Sequence, residues 1–292
     1  GVSDNNPCLV VDHADRLWLF HATLLGVPEV SWTSALIRYH ISARYDQTGP
    51  PVWETQDLLI PHLFSLETKP TEAAPLPGNE TDTRPGARRR KKQMDPFKTR
   101  LGWMPRAHPI IRSDGALLLP LANENYGIAA MAITKDGGAT WAMGEAVPSR
   151  GLTQPTVVEF PDGTMKAFFR NGHLAHRILS SDSQDGGITW SPVERTDLPH
   201  PNAGIETILT ESGRLLLVYN DSEHERDRLA VSLSEDRGAT WTHTRHIENS
   251  PGERFAYPSL IQGQDGTFHL TYSYNTKTIK YVRFNEAWVL AE

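Results

Sequence analysis

The sequence is short of several features that would fix a function class at once. It has a single cysteine, Cys8, among 292 residues, so neither an internal disulfide nor a thiolate metal cluster is available to it. No apolar run approaches membrane-spanning length. Neither sign of charge dominates: the net charge is −6 and the sequence pI about 6.1, which argues against a general nucleic-acid binder. The dense basic run Arg88-Arg89-Arg90-Lys91-Lys92 lies in a polar stretch and reads as a solvated face. There is no HExxH, paired CxxC, P-loop, dinucleotide-binding glycine motif or G-x-S-x-G elbow. The histidines are scattered, and His173 and His176 in NGHLAH sit three apart on strand-like sequence, so no metal or cofactor is expected. The chain opens GVSDNNPC, with neither an initiator Met nor a signal peptide. A removed segment or a fragment is expected from this, and a secreted or periplasmic setting is compatible with it.

What the sequence does have is a period. The octets TKDGGATW, SQDGGITW and SEDRGATW occupy Thr134–Trp141, Ser183–Trp190 and Ser234–Trp241, with Asp136, Asp185 and Asp236 spaced 49 and 51 residues apart. A second marker keeps step: small turns at Asp114-Gly115, Asp162-Gly163, Ser212-Gly213 and Asp265-Gly266. Each separates two short runs rich in β-formers, as in TVVEF-PDG-TMKAFF and ETILT-ESG-RLLLVY, which predicts a hairpin. A further strand leads into each octet. Four short strands every ~50 residues predict the blades of an all-β propeller rather than a plain β-sandwich. Within the octet, Asp236 accepts from nearby backbone N–H groups, Gly238 takes positive φ, and Trp241 buries a large apolar surface between blades. These aspartates are structural, not catalytic.

The pattern S/T-x-D-x-G-x-T-W is the Asp box, and its repetition resembles the sialidase (neuraminidase) superfamily with its BNR repeats. The resemblance covers about residues 5–53 and 103–288. Blade modules are expected at about 5–53, 103–141, 152–190, 201–241 and 255–288, the first degenerate, in one propeller domain. Sialidase-type propellers have six blades, so the resemblance implies a six-bladed ring of which five modules are legible here. Residues of about 54–102 show no strand rhythm and are predicted to be an insertion loop with a short helix near Gln93–Arg100. Asn79-Glu80-Thr81 within it is a glycosylation sequon by pattern.

In a propeller the innermost strands begin at one face, and their first residues converge on the axis. Those starts are Asn6-Pro7, His108-Pro109, Gln154-Pro155, Gly204-Ile205-Glu206 and Tyr257-Pro258. Asn, His, Gln, Glu and Tyr recurring at one phase predict a polar funnel, against the alternative of turn capping beside proline. The resemblance assigns roles within it. Tyr257, in Tyr-Pro-Ser-Leu, matches the nucleophilic tyrosine, a neutral phenol suited to a carboxylate-bearing anomeric centre. Glu206 is the candidate base, although the family's Glu falls one module earlier, where this chain has Gln154. Arg170 in KAFFRNG and Arg226 in NDSEHERDRLAVS, with Arg228 its rival, match two of the carboxylate-clamping arginines, guanidinium being the natural fork for a carboxylate. The family's first-blade arginine and acid/base aspartate have no counterpart in the first module. Arg106 in Arg106-Ala107-His108-Pro109 and Glu124 in ANENYG are faint echoes in the wrong module. The resemblance therefore implies an exo-acting glycoside hydrolase on terminal acidic sugars of glycans. Two alternatives stand beside it: a uronate-specific polysaccharide lyase using His108 and Tyr257 as acid and base, and a non-catalytic glycan- or protein-binding propeller.

Overall fold

The computed structural model describes residues 2–26, 30–61, 100–123, 125–172 and 176–291. The basic run, the sequon, most of the predicted insertion and its helix, His173 and Glu124 lie outside them. Apolar runs on either side of each turn decide the sheets. The first blade holds β1 (Val2–Val11), β2 (Leu17–Gly26), β3 (Val30–Ser42) and β4 (Thr55–Leu59) in that order. The second holds β5 (Trp103–Met104), β6 (Ile110–Ile111), β7 (Leu117–Asn123), β8 (Ile128–Thr134) and β9 (Ala142–Met143), with β5 and β6 both pairing β7. The third runs β10 (Leu152–Glu159), β11 (Met165–Asn171), β12 (Arg177–Ser183) and β13 (Glu194–Pro199). The fourth runs β14 (Glu206–Leu209), β15 (Leu215–Asn220), β16 (Arg228–Ser234) and β17 (His243–Asn249). The fifth has three strands, β18 (Phe255–Gln262), β19 (Phe268–Tyr274) and β20 (Thr278–Phe284), followed by the one-turn helix α1 (Glu286–Leu290) capped by Asn285. All pairings are antiparallel. Five blades are therefore present among the described residues, as many as the modules legible in the sequence. The expected loop from about 54 is corrected at its start: Thr55–Leu59 is the outer strand of the first blade, and its exposed TQDL hid it from an apolar count.

The blades stack through four large cores, each shared by two neighbours, and a smaller cluster of Ala22, Leu24, Ala35 and Met104 also joins the first two. Trp18, Phe20, Ile37 and Tyr39 of the first blade meet Leu117, Leu119 and Leu121 of the second. Leu118 and Met131 of the second meet Met165, Val157 and Phe169 of the third. Phe168 and Ile178 face Leu215 and Leu217, while Leu216 and Val218 face Leu260, Phe268 and Leu270. Successive residues of one strand thus enter different cores, because side chains alternate across a sheet buried on both faces. That is why LLLPLAN and LLLVYN read as continuous apolar runs. Each fully buried Leu or Phe contributes about 2 kcal/mol of transfer free energy, so single strands anchor two interfaces at once.

The octets are the fasteners of this stacking, and their three copies superpose in chemistry. Asp136 Oδ1 accepts from Thr140 N (2.9 Å) and Thr134 Oγ1 (2.9 Å), and Oδ2 from Thr140 Oγ1 (2.6 Å). Asp185 repeats this with Thr189 and Ser183, and Asp236 with Thr240 and Ser234. The second octet glycine lies against the preceding blade. A Cβ on Gly138 would stand 2.8 Å from Trp18 Cη2, and one on Gly238 2.9 Å from Phe168 Cζ. With φ of 92° at Gly138, both backbone conformation and space exclude a side chain. The tryptophans then pack across the seam: Trp141 lies 6.0 Å edge-on from Phe20, and Trp241 5.8 Å from Phe168. No helix among the described residues is long and apolar enough to cross a membrane.

Candidate active site

Three innermost strands begin with the same irregularity. Asn6, Gln154 and Tyr257 have φ of 52°, 48° and 56°, each precedes a proline, and each sits in a register slip, between Asn5 and Cys8, Thr153 and Thr156, and Ala256 and Ser259. Left-handed backbone at a non-glycine residue costs on the order of 1 kcal/mol, and proline has no N–H to give the ladder. The bulge instead re-aims a side chain that regular pleating would tuck into a blade. The second blade achieves the same break with the gap between β5 and β6, where His108 sits, and the fourth by starting β14 late, at Glu206. Gly204, just before that start, makes room: a Cβ there would come within 3.0 Å of Tyr257 Cδ1 and 3.2 Å of Arg106 Cζ.

Around Tyr257 the mouth of the axis is cationic. The ring is 44% exposed, and the Arg226 guanidinium lies over it, 5.8 Å from the centroid. Burial alone would raise the phenol's pKa. Hydrogen bonding from Arg226, the charges of Arg170 and Arg226 and a hydrogen bond from Arg170 outweigh it, so the pKa falls below the ordinary tyrosine value. Asn202, itself left-handed at φ 55°, ties the two arginines together: its side-chain oxygen accepts from Arg170 Nε at 2.8 Å and its carbonyl from Arg226. His200 stands behind them, 1% exposed, its Nε2 accepting from the Asn171 N–H at 3.4 Å. Burial and then the charges of Arg170, Arg226 and His176 push its pKa down to about 3, so it remains a neutral wall. One terminal nitrogen of Arg226 is buried without a partner, as are His200 Nδ1 behind it and Gln154 Oε1 at its own strand's bulge. Unsatisfied buried groups of this kind are costly and mark the places where a ligand would complete the hydrogen bonding.

Deeper along the axis lies a second layer. Glu206, 1% exposed, accepts from Thr156 Oγ1 at 3.1 Å, and Thr156 in turn accepts from the Thr207 N–H at 3.1 Å. Its other oxygen is 3.4 Å from His108 Nδ1 and 3.9 Å from an Arg106 terminal nitrogen. Arg106 is buried and donates to the carbonyls of Pro258 and Ile205, tying the second blade to the fourth and fifth. The lone cysteine, Cys8, is also buried here, its pKa raised by burial and by Glu206, which leaves it unreactive.

The structure therefore sorts the predicted residues. Tyr257, Arg170 and Arg226 come together at the mouth. Glu206, His108 and Arg106 meet in the deeper layer, and no hydrogen bond or ion pair joins Glu206 to Tyr257 among the described residues. Gln154 is buried with its Oε1 unpartnered, whereas Asn6 donates to the Met104 sulfur at 3.8 Å. Arg228 points elsewhere, toward Asp227 at 3.7 Å. Asn202, His200, Thr156 and Ser259 were not singled out from the sequence. Only Asn202 carried a signal, the turn-forming Pro-Asn-Ala-Gly that precedes Glu206. Among the described residues no three His, Cys, Asp or Glu side chains converge as a metal site.

With this geometry in place, comparison with known proteins adds the following. A family model described as a BNR repeat-like domain matches residues 89–270. A sialidase of Micromonospora viridifaciens is 32% identical over 164 residues, 53% of this chain and 25% of that protein. An anhydrosialidase of Macrobdella decora is 34% identical over 186 residues, 54% of this chain and 23% of that protein. The matches thus span about a quarter of the length of these curated relatives. In overall shape the chain superposes on the Hadza microbial sialidase Hz136 with a TM-score of 0.73 at 16% identity, covering 99% of this chain and 54% of that one. It superposes on the intramolecular trans-sialidase of Ruminococcus gnavus with a TM-score of 0.72 at 13% identity, covering 100% and 80%. At these identities the superpositions establish the propeller fold.

Proposed function

The chain belongs to the sialidase superfamily of BNR-repeat propellers, and from that premise we propose that it is a sialidase-like exo-glycoside hydrolase acting on terminal acidic sugars of glycans. The observation that carries this reading is the shared contact of Tyr257 with Arg170 and Arg226 at an open mouth. A sugar whose carboxylate is attached to its anomeric carbon would seat that carboxylate on the two guanidinium groups, which bind planar anions as forks and keep their charge. The anomeric carbon would then face the phenol. Tyr257 Oη would form the bond to that carbon as the glycosidic carbon–oxygen bond breaks, the aglycone leaving as its alcohol with the proton the phenol gives up; water then cleaves the glycosyl-tyrosine, releasing the free sugar and returning a proton to the phenol. A neutral nucleophile meets less repulsion from the substrate's carboxylate than an aspartate would. The same arginines that would hold the substrate stabilise the charge that develops on the oxygen as the neutral phenol gives up its proton, so binding and activation use one set of charges. Asn202 keeps the pair in register.

A second reading is favoured by one observation: the partners of the phenol are guanidinium groups and not a carboxylate. A phenolate held this way suits proton abstraction beside a uronate carboxyl, with His108 as the proton donor. Incubation with sialosides and with uronate-rich polysaccharides separates the readings. Free sialic acid supports the hydrolase, an ultraviolet-absorbing unsaturated product the lyase, and binding without turnover of either a recognition propeller.

A further inference from the structure

The deeper axial layer has no part in the glycoside hydrolysis proposed above, yet it holds three side chains in a catalytic order. Ser259, two residues after Tyr257 on β18, places its Oγ 3.4 Å from His108 Nε2. The other ring nitrogen, Nδ1, buried without a hydrogen-bond partner, is 3.4 Å from a Glu206 carboxylate oxygen. Glu206 is itself fixed by Thr156, whose oxygen is held by the Thr207 N–H. The three residues come from the fifth, second and fourth blades, and only the ring of blades brings them together. We propose that Ser259, His108 and Glu206 form a second, serine-hydrolase site at the propeller axis, which cleaves carboxylic esters whose acyl or aryl group is apolar.

Three observations support it. Nucleophile, base and orienting acid are recognised by geometry and not by sequence motif, and separations somewhat looser than a tight hydrogen bond are usual in an unliganded site. The imidazole also opens on a place for a substrate. His108 lines an axial cavity of about 670 Å³ whose walls are largely apolar, with Val157, Ile208, Leu260 and Ile261 among them. Leu260 is fully buried between blades, so the alternating Ser259 and Ile261 share the other side of β18; Ser259 is half-buried and Ile261 51% exposed. Finally, the electrostatics suit a base held by a carboxylate. Burial would lower the His108 pKa and Arg106 opposes its charge, yet Glu206 outweighs both and the value is raised. Arg106 donates to the carbonyl of Pro258, which sets a positive charge beside the backbone of Ser259.

In the reaction Ser259 Oγ bonds to the ester carbonyl carbon while its proton passes to His108 Nε2. The carbonyl carbon–oxygen bond to the alcohol breaks, and that alcohol leaves with the proton. Water, deprotonated by the same nitrogen, then cleaves the acyl-serine, giving the carboxylic acid and the free hydroxyl. Turnover should rise with pH through the raised His108 pKa, since only the neutral ring accepts the proton.

The test is to treat the full chain with a fluorophosphonate probe, which an activated serine displaces at fluoride, and to map the adduct by peptide mass. p-Nitrophenyl butyrate hydrolysis is followed in parallel. The expected result is one adduct, on the peptide carrying Ser259. Adduct and ester turnover should both fall at least about a hundredfold in Ser259→Ala and in His108→Asn. Ser259→Ala removes one oxygen from a half-buried position, and its melting temperature should stay within about 2 °C of the parent. An unlabelled protein, an adduct on another residue, or a Ser259→Ala variant that keeps its ester turnover would overturn the proposal. Sialoside release is a separate readout of Tyr257, so failure of one site does not decide the other.

Discussion

Two features of this molecule repeat at the same interval and behave in opposite ways. At the rim the octets keep their side chains: Asp136, Asp185 and Asp236 each accept from a Thr N–H, a Thr hydroxyl and a Ser or Thr hydroxyl. At the axis the strand starts keep their backbone and change their side chains: Asn6, Gln154 and Tyr257 share a left-handed pre-proline bulge and nothing else. A repeat that preserves identity serves a geometric need that recurs once per blade. A repeat that preserves only backbone presents different chemistry to one shared point. The contrast separates scaffold from site, and it makes predictions that differ for the two regions.

The largest effect is expected at the axis. Tyr257→Phe removes one oxygen from a half-buried ring, and sialoside turnover should fall about a thousandfold or more, roughly 4 kcal/mol of transition-state stabilisation. The melting temperature should hardly move, because the ring's packing and its bulge are kept. Steady-state kinetics and a thermal melt on the same preparation check this; full activity would remove Tyr257 from the mechanism, and unfolding would place it in the scaffold.

The rim should answer in the reverse way. Gly138→Ala puts a Cβ 2.8 Å from the fully buried Trp18 ring at a φ of 92°, so either the ring or the turn must move. A loss of about 3 kcal/mol is expected from strain plus overpacking, read by urea unfolding, with the affinity of the surviving folded protein for an acidic sugar unchanged. A variant as stable as the parent would mean that the close approach of octet and neighbouring blade does not matter to stacking.

How much of this was legible in the sequence follows from the same division. The octets and turns were readable because the same residues recur for the same local reason, the Asp accepting backbone and hydroxyl hydrogens four residues on. The four large cores were readable as apolar runs but not as pairs: nothing local says that Leu117 faces the first blade and Leu118 the third. Strand β4 was missed because TQDL is exposed and carries no apolar period. At the axis, Tyr257, Arg170 and Arg226 could be placed through family resemblance, while the partition of Glu206 away from Tyr257 depends on long-range packing. Arg106 and His108 claim that carboxylate from the second blade, about 100 residues earlier in the chain. Asn202 escaped because its function lies in its carbonyl and its turn as much as in its side chain.

A smaller axial effect concerns binding. Arg170→Ala deletes one of two guanidinium forks but leaves Asn202 and Arg226 in contact. Loss of one charge-assisted pair should weaken an acidic sugar by about 1.5 to 3 kcal/mol, roughly 10- to 150-fold, and a neutral sugar of the same size hardly at all. Titration calorimetry with both ligands gives the ratio. Equal losses would show that Arg170 shapes the mouth without reading charge.

The smallest effect belongs to the rim and concerns acid. Hydrogen bonds from the Thr140 side chain and backbone, and from Thr134, hold Asp136 down to about 2, well under the ordinary carboxylate value. A folded-state pKa below the unfolded one means that the octet's stabilisation is fully present above the unfolded value, near pH 4. It fades as pH falls through about 2. Asp162, held near 2 by Thr164 and by Arg237 of the neighbouring blade, titrates in the same window. Asp136→Asn cannot titrate, so its stability should start lower at pH 7 and decline less steeply between pH 4 and pH 2, as followed by melting temperature against pH. Parallel curves for variant and parent would mean that the turn holds its shape without the carboxylate's charge. The Asp of the repeat would then matter as a hydrogen-bond acceptor alone, and the rim would be insensitive to protonation while the axis, with its arginine-bound phenol, remained the part of the molecule that responds to pH.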